Sequence, residues 1–385
     1  MKFRSPLLLY ALILTLIGVF FIAVSSQTEA NSILTDQFFF LRQQLIWLGV
    51  GLITFFIAAK IKLGWLQKFS FPLYLLTNLL LLLVLIPSLG TQALGAKRWL
   101  SLGQLSIQPS EIAKITMIIF FATIFTDEQK RNLKTLLFYL LPPFILIILE
   151  PNLSTAVLIS AICLVIYYLS GASFQSIVAF SCLSLVIFSL LTFLAPYRFA
   201  RLKTFLKPED NSSTATYHRN QIIYALASGG IRGKGLANSD QKYKYLPKIS
   251  TDSILAIIGE ETGFIGLSLL FYIYLLLIGY LFRLAGQTTN PFSSLLIGGI
   301  GSWIAMQTLI NAGAIANIIP LTGIPLPFIS YGGSSLVTLF FSLGLVHNIE
   351  KNDNNLIYSK HGPNAGHYRY SSYSRLRTHR TASGR

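Results

Sequence analysis

What most limits the folding of this chain is its succession of long apolar runs. Ten of them, at 7–25, 44–60, 71–89, 109–126, 135–150, 152–170, 174–195, 254–283, 292–317 and 328–349, carry few charges. Most lie near the ~20 residues that cross a bilayer as a helix. In hydrocarbon every backbone N–H and C=O must be paired within the segment, so runs of this length fold as helices. The expected fold class is therefore all-α: a polytopic membrane protein with about ten transmembrane helices and a large extracytoplasmic loop at 196–253. Composition agrees, with 11% charged residues where soluble domains carry about 25%. The first run is long enough to span and shows no small-residue cleavage site, so it reads as an anchor and not a leader.

The chain carries 30 Lys and Arg against 14 Asp and Glu, a net charge of +16. In a soluble protein that balance points to nucleic acid. Here cytoplasmic loops and anionic lipid headgroups account for it, and no nucleic-acid partner is expected. Lys2, Arg4, Lys60, Lys62, Lys68, Lys130, Arg131, Lys134, Arg283 and the Arg-rich segment after Glu350 fall on one side of a ten-span topology. That side reads as cytoplasmic, with both termini on it. Residues 1–350 form one membrane domain. The basic tail, 351–385, is poor in apolar residues and is expected to be disordered in the cytoplasm. The 196–253 loop breaks the charge rule, with ten Lys and Arg between Arg198 and Lys248. Long loops translocate regardless of charge, so the topology stands. Chemistry on an anionic, lipid-bound substrate at the membrane face is a natural reason for these cations. Cys163 and Cys182 sit inside apolar runs and read as buried small hydrophobes. The five histidines show no metal-ligand spacing.

Several polar motifs flank the spans. In Gln108-Pro109-Ser110-Glu111-Ile112-Ala113-Lys114, Pro109 suits a first helical turn and Glu111 is favoured there by the helix dipole. Lys114 follows on the same face. The two either seat the helix as an ion pair or face a polar cavity. Lys97, Arg98 and Trp99 precede them as interfacial anchors or cavity cations. Glu150-Pro151-Asn152-Leu153-Ser154-Thr155 reads as a tight turn with Asn152 and Ser154 as capping candidates. In the large loop, Tyr197–Pro208 is amphipathic and Gln221–Gly230 is apolar enough to enter the membrane face. Ser228-Gly229-Gly230 and Gly233-Lys234-Gly235 offer backbone N–H groups beside cations, either a phosphate cradle or a plain turn. Asp252, just before the 254–283 run, is either a helix cap or a lone acid. Glu260-Glu261 reads as a polar face packed on other helices. Ile319–Ser335, with Pro320, Pro325, Pro327 and Gly323, demands irregular backbone at membrane depth, tolerated only against protein or a water-filled cavity.

Together these blocks resemble the SEDS family (shape, elongation, division and sporulation), typified by RodA and FtsW. They occur in family order through most of the membrane region. The Ser239-x-Gln241-Lys242 segment followed by Tyr245-Leu246-Pro247 is closer to the FtsW division branch. The resemblance implies a peptidoglycan glycosyltransferase that polymerises lipid II with release of undecaprenyl diphosphate, in cell division or elongation. A lipid II flippase or a membrane scaffold of the division machinery stands as the alternative. Leu246-Pro247 through Thr251-Asp252 matches the family's catalytic-acid pattern, which makes Asp252 the expected catalytic residue. Lys97, Arg98, Glu111, Lys114, Arg198, Arg201, Gln221, Lys234 and Lys242 are the expected substrate- and diphosphate-binding residues. A divalent cation (Mg or Mn) is the one cofactor with a place in this scheme. The implied partners are lipid II, a class B penicillin-binding transpeptidase and other division or elongation membrane proteins. The implied location is the cell membrane. The chain departs from the pattern at His218 (commonly Gln), at Asn152 and Ser154 (commonly Asp and Gly), and at Ser253 and Leu255, where aromatic residues are frequent.

Overall fold

The computed structural model of the chain describes residues 6–33, 38–87, 90–93, 96–102, 105–206, 214–239 and 251–361. Helices follow in the order α1 (Leu7–Ile33), α2 (Phe39–Ala58), α3 (Leu63–Lys68), α4 (Ser70–Leu85), α5 (Pro109–Ile124), α6 (Leu133–Leu149), α7 (Leu153–Leu169), α8 (Phe174–Phe193), α9 (Pro196–Leu206), α10 (Thr214–Gly229), α11 (Ile254–Gln287), α12 (Pro291–Ile315) and α13 (Gly333–His361). All except α3, α9 and α10 coincide with an apolar run. Among the described residues, Leu7–Ser25, α2, α8, α11 and α12 are long and apolar enough to cross a membrane on those grounds alone. Helices α4, α6 and α7 are apolar but only 16 or 17 residues long. They rise about 24–26 Å, slightly under the ~30 Å hydrocarbon core, a mismatch that local thinning absorbs.

The chain is predominantly helical, as expected, with one small sheet and one shifted boundary. Residues within 90–108 form a three-stranded antiparallel sheet of β1 (Gly90–Ala93), β2 (Ala96–Leu102) and β3 (Leu105–Ile107). This segment lacks the apolar run that forces helix, and ladder pairing satisfies its backbone instead. The last span begins at Gly333 instead of 328, because the Pro-rich segment before it cannot enter the helix. The same helix runs on to His361, past the 350 boundary read from composition.

Helices α5 and α12 form the centre. Nearly every residue of α5 from Pro109 to Ala122 is buried, and Trp303 of α12 is wholly so. A stack of Tyr74 on Phe120, centroids 4.4 Å apart, joins α4 to α5. By contrast α8 buries only Phe180 and Thr192. Helix approach relies on small residues: a Cβ on Gly344 of α13 would overlap the backbone carbonyl of Phe55 on α2. Asn348 donates to the carbonyls of Ala58 and Ile61, so the end of α13 and the α2–α3 connection share one face. On the opposite face Ser334 accepts from the N–H of Gln108 and donates to the carbonyl of Ser106, tying α13 to β3 and the start of α5.

Helix α11 is broken. At Gly263 the backbone leaves the helical region (φ 67°, ψ −166°). Residues 230–235 fill the gap. Lys234 and Gly235 donate N–H groups to the carbonyls of Glu260 and Glu261, both at 3.0 Å, while Phe264 and Ile265 donate to Gly230 and Ile231 at 2.9 and 3.2 Å. Gly233 and Gly263 meet backbone to backbone, where a side chain on either would overlap the other strand. The break leaves a short N-terminal segment of α11 that carries Asp252 at its head.

Candidate active site

Asp252 precedes Ser253, the residue at the N-cap position of α11. The Ser253 hydroxyl makes no capping bond and pairs instead with Nε2 of His218 at 2.8 Å. The Asp252 carboxylate is partly buried, and its Oδ1 accepts the Thr251 hydroxyl at 3.0 Å. Gly323 lies against the other oxygen, where a Cβ would sit 3.7 Å from Oδ2. The cap alternative for Asp252 is thereby removed.

The segment 319–332 wraps the Asp252 head of α11. Its prolines cannot donate, and Gly323 (φ 71°) and Phe328 (φ 65°) lie in the left-handed region, so several of its carbonyls, including those of Leu321, Thr322, Ile324, Pro325 and Pro327, take side-chain donors in place of helical ones. Side chains from four helices supply them. Arg201 of α9 donates to Leu321 (3.3 Å), Ser154 of α7 to Thr322 (3.1 Å), Asn311 of α12 to Ile324 (2.8 Å) and Gln307 of α12 to Pro325 (2.8 Å). Tyr274 of α11 donates to Pro327. This is the protein-lined setting that irregular backbone at membrane depth requires. Asn311 also donates to the backbone carbonyl of Asp252 at 3.2 Å.

Lys114 and Glu111 form an ion pair at 2.8 Å with side chains 1% and 6% exposed. Lys114 Nζ also donates to Gln307 Oε1 at 3.0 Å and lies 4.9 Å from the centre of the Trp303 ring. The pair seats α5 against α12 and is buried in this conformation. Arg98 braces the α6–α7 turn: its Nε donates to the carbonyl of Glu150 at 3.0 Å and a terminal nitrogen to that of Pro151. Glu150 itself is fully buried, with neither carboxylate oxygen hydrogen-bonded among the described residues. The tight turn between α6 and α7 is present, but Asn152 makes no capping bond, and Ser154 reaches 319–332 instead. Arg198 folds back on the carbonyl of Leu191 at 3.0 Å. Gln221 is partly buried on α10.

Asp252, Arg201 and, through Ser154, the α6–α7 turn thus meet 319–332 directly, and the Lys114–Glu111 pair is linked to it through Gln307. Lys234 does not join them. Its ammonium binds Glu260 Oε1 at 2.9 Å. Glu260 also accepts the hydroxyls of Ser228 and Ser239, and Glu261 accepts the Ala237 N–H at 2.8 Å. The phosphate-cradle reading of this Gly-rich stretch fails for the same reason. The N–H groups of Gly233, Lys234 and Gly235 are taken by Gly229, Glu260 and Glu261. Lys242 and the side chain of Lys97 lie outside the described residues. Gln307, Asn311 and His218 were missed as site residues. The first two had a signal, as polar residues four apart inside an apolar span, which face protein or function by default. His218 had none beyond its departure from the expected Gln.

An apolar cavity of about 270 Å³ lies between α6, α7 and α8, lined by Leu140, Phe144, Val157, Phe180, Ile187 and Phe188 among others. None of the expected site residues lines it.

Comparison with known proteins places this architecture. A family model described as "Cell cycle protein", which groups FtsW, RodA and SpoVE, matches residues 4–355. Stage V sporulation protein E of Bacillus subtilis is 34% identical over 359 residues, covering 91% of this chain and 98% of that protein. The probable peptidoglycan glycosyltransferase FtsW of Saccharophagus degradans is 37% identical over 368 residues, covering 91% and 94%. Among solved structures, a chain of a peptidoglycan synthase complex that coordinates polymerization and crosslinking superposes with a TM-score of 0.76 at 25% identity, covering 91% of this chain and 98% of that one. The rod shape determining protein RodA of Thermus thermophilus superposes at 0.67 with 24% identity and the same coverage, which speaks to the fold.

Proposed function

The chain belongs to the cell cycle protein family of FtsW, RodA and SpoVE, and on that premise we propose that it is a membrane-embedded peptidoglycan glycosyltransferase with Asp252 as its base. It polymerises lipid II into glycan strands and releases undecaprenyl diphosphate, as the names of its FtsW relatives support. The reaction is a displacement at the donor sugar's anomeric carbon. The acceptor's 4-hydroxyl oxygen forms the new bond, the C–O bond to diphosphate breaks with its electron pair, and the hydroxyl proton passes to Asp252. One carboxylate suffices, because the diphosphate leaves already stabilised, unlike the leaving group of two-carboxylate glycoside hydrolysis. Both substrates are lipid-tethered, so the protein contributes mainly positioning and cationic stabilisation. Arg201 on α9, bonded to the Leu321 carbonyl, supplies a cation on the segment that packs against Asp252; Arg198 on the same helix is turned back to the Leu191 carbonyl. Lys234 is withdrawn from that role by Glu260. The apolar groove between α6, α7 and α8 suits a polyprenyl chain.

The observation that carries this reading is the Asp252 carboxylate itself: not a cap, partly accessible and held at the junction of α11 with 319–332. The expected Mg or Mn finds no ready cage, since no three His, Cys, Asp or Glu converge among the described residues. The displacement is therefore written without it. The bias of basic residues toward one set of loops supports cytoplasmic termini, with Asp252 on the outer face. A class B penicillin-binding transpeptidase is the proposed partner, by likeness to the synthase complex. Purified protein with its co-expressed partner and labelled lipid II tests the reading. Asp252→Ala should abolish polymer while eluting as folded protein. Polymer of normal length from that variant removes Asp252 from the mechanism, and lipid translocation without any polymer from the parent replaces the reading with a flippase.

A further inference from the structure

Gln307 and Asn311 are one helical turn apart on α12, so they project from the same face, and both are buried, at 0% and 2% exposure. Their amide orientations follow from their partners. Gln307 Oε1 accepts from Lys114 Nζ (3.0 Å) and from Trp303 Nε1 (2.7 Å), two groups that can only donate, while its Nε2 donates to the Pro325 carbonyl. Asn311 Nδ2 donates to two carbonyls, those of Ile324 and Asp252. One side chain therefore joins the backbone of Asp252 to 319–332. Its neighbour one turn away joins that same segment to the buried ion pair of α5. No other described side chain is bonded to the Asp252 main chain.

We propose that Asn311 and Gln307 are a pair of positioning residues: Asn311 fixes Asp252 against 319–332, and Gln307 locks that segment to Lys114. The inference rests on Asp252 being the base. The base must meet the acceptor hydroxyl within hydrogen-bond reach. A displacement of about 1 Å from the productive geometry can cost ~10²-fold in rate. The buried Ser302 and Thr308 of α12 satisfy their hydroxyls on their own helix, whereas Gln307 and Asn311 reach out of it, so packing within α12 does not explain them. The pair also explains why the Lys114–Glu111 ion pair, too buried to meet substrate in this conformation, can still matter for turnover. It acts through the segment that Gln307 grips.

The test uses the full chain with its partner, labelled lipid II, and Asn311→Leu, Gln307→Leu and the double variant, each normalised to its folded fraction by gel filtration. The expected result is a kcat about 10- to 100-fold lower for each single variant, with KM within about twofold. The double variant should fall little below the worse single one, since both act through one segment. A folded Asn311→Leu protein with parental kcat overturns the inference. So does a loss that tracks the folded fraction, or one confined to KM. Where the leucine variant does not fold, Asn311→Ser is paired with a nitroxide at Asp252→Cys. The label should become more mobile when Asn311 is changed, and unchanged mobility is equally fatal. An Asp252→Ala control separates the two readings. Normal polymer from it ends the base assignment. An inactive control beside a fully active Asn311→Leu ends only the positioning role.

Discussion

Lys114→Met should destabilise the protein by about 3–5 kcal/mol, the usual cost of removing one member of a buried ion pair. The structure places this case firmly within that class. Glu111 Oε2 has no hydrogen-bond partner apart from the Lys114 ammonium, 2.8 Å away, and its side chain is 6% exposed. With so little of its side chain exposed, Glu111 has little solvent to take over the charge. Gln307 Oε1 loses one of its two donors and the Trp303 ring its cation. At about 2 °C per kcal/mol for a large domain, the apparent Tm falls roughly 6–10 °C. The natural reporter is Cys163, which is buried, once the exposed Cys182 is changed to Ser. A thiol-reactive dye then reads unfolding during a temperature ramp in detergent. The double variant Glu111→Leu/Lys114→Met should return to within about 1–2 kcal/mol of the parent, because apolar replacement of a buried pair is often near neutral. A single variant as stable as the parent would refute the reasoning, for it would mean that Glu111 is solvated. A double variant no better than the single one would refute it equally. If the double variant regains stability but not polymerisation, the pair serves turnover as well as folding.

Other outcomes follow from the same geometry. Gly263→Ala forces a side chain into a residue at φ 67°, its Cβ 2.6 Å from the Ile231 carbonyl oxygen. Folded yield should drop and the 230–239 loop should become protease-sensitive; an unaffected loop would mean that the break in α11 closes at no cost. Glu260→Leu removes the acceptor shared by Ser228, Lys234 and Ser239, and limited proteolysis should then cut within 229–239 well before any other site. Gln44 is fully buried on α2 with neither amide atom bonded among the described residues. Gln44→Met should therefore relieve about 1–3 kcal/mol of desolvation and raise the apparent Tm by roughly 2–6 °C, and a lowered Tm would reveal a partner.

The bilayer made much of this protein legible in one dimension. Apolar runs too long for a soluble core had to be helices, so the polytopic helical fold and the order of its helices followed from hydrophobicity alone. Local chemistry was readable too. Pro109 opens α5 and Glu111 meets Lys114 one turn later, because both effects act within a few residues. The 90–108 sheet was not legible, since short strands in a polar connection leave only a weak periodic signal.

The site was legible by type more than by partner. That Asp252 heads α11 is a matter of sequence. That it is not the cap follows from where the helix opens, with Ser253 at the N-cap position and the Asp252 carboxylate on the Thr251 hydroxyl. Lys234 looked like a diphosphate ligand until folding put it beside Glu260, and the Gly-rich stretch looked like a cradle until the break at Gly263 claimed its N–H groups. The Pro-rich segment announced that its carbonyls needed donors. Only the packing of α7, α9, α11 and α12 decided that Ser154, Arg201, Tyr274, Gln307 and Asn311 would be those donors. The reason is physical: transfer into hydrocarbon is a sum over neighbouring residues, whereas a hydrogen bond between distant residues exists only once the helices carrying them have docked.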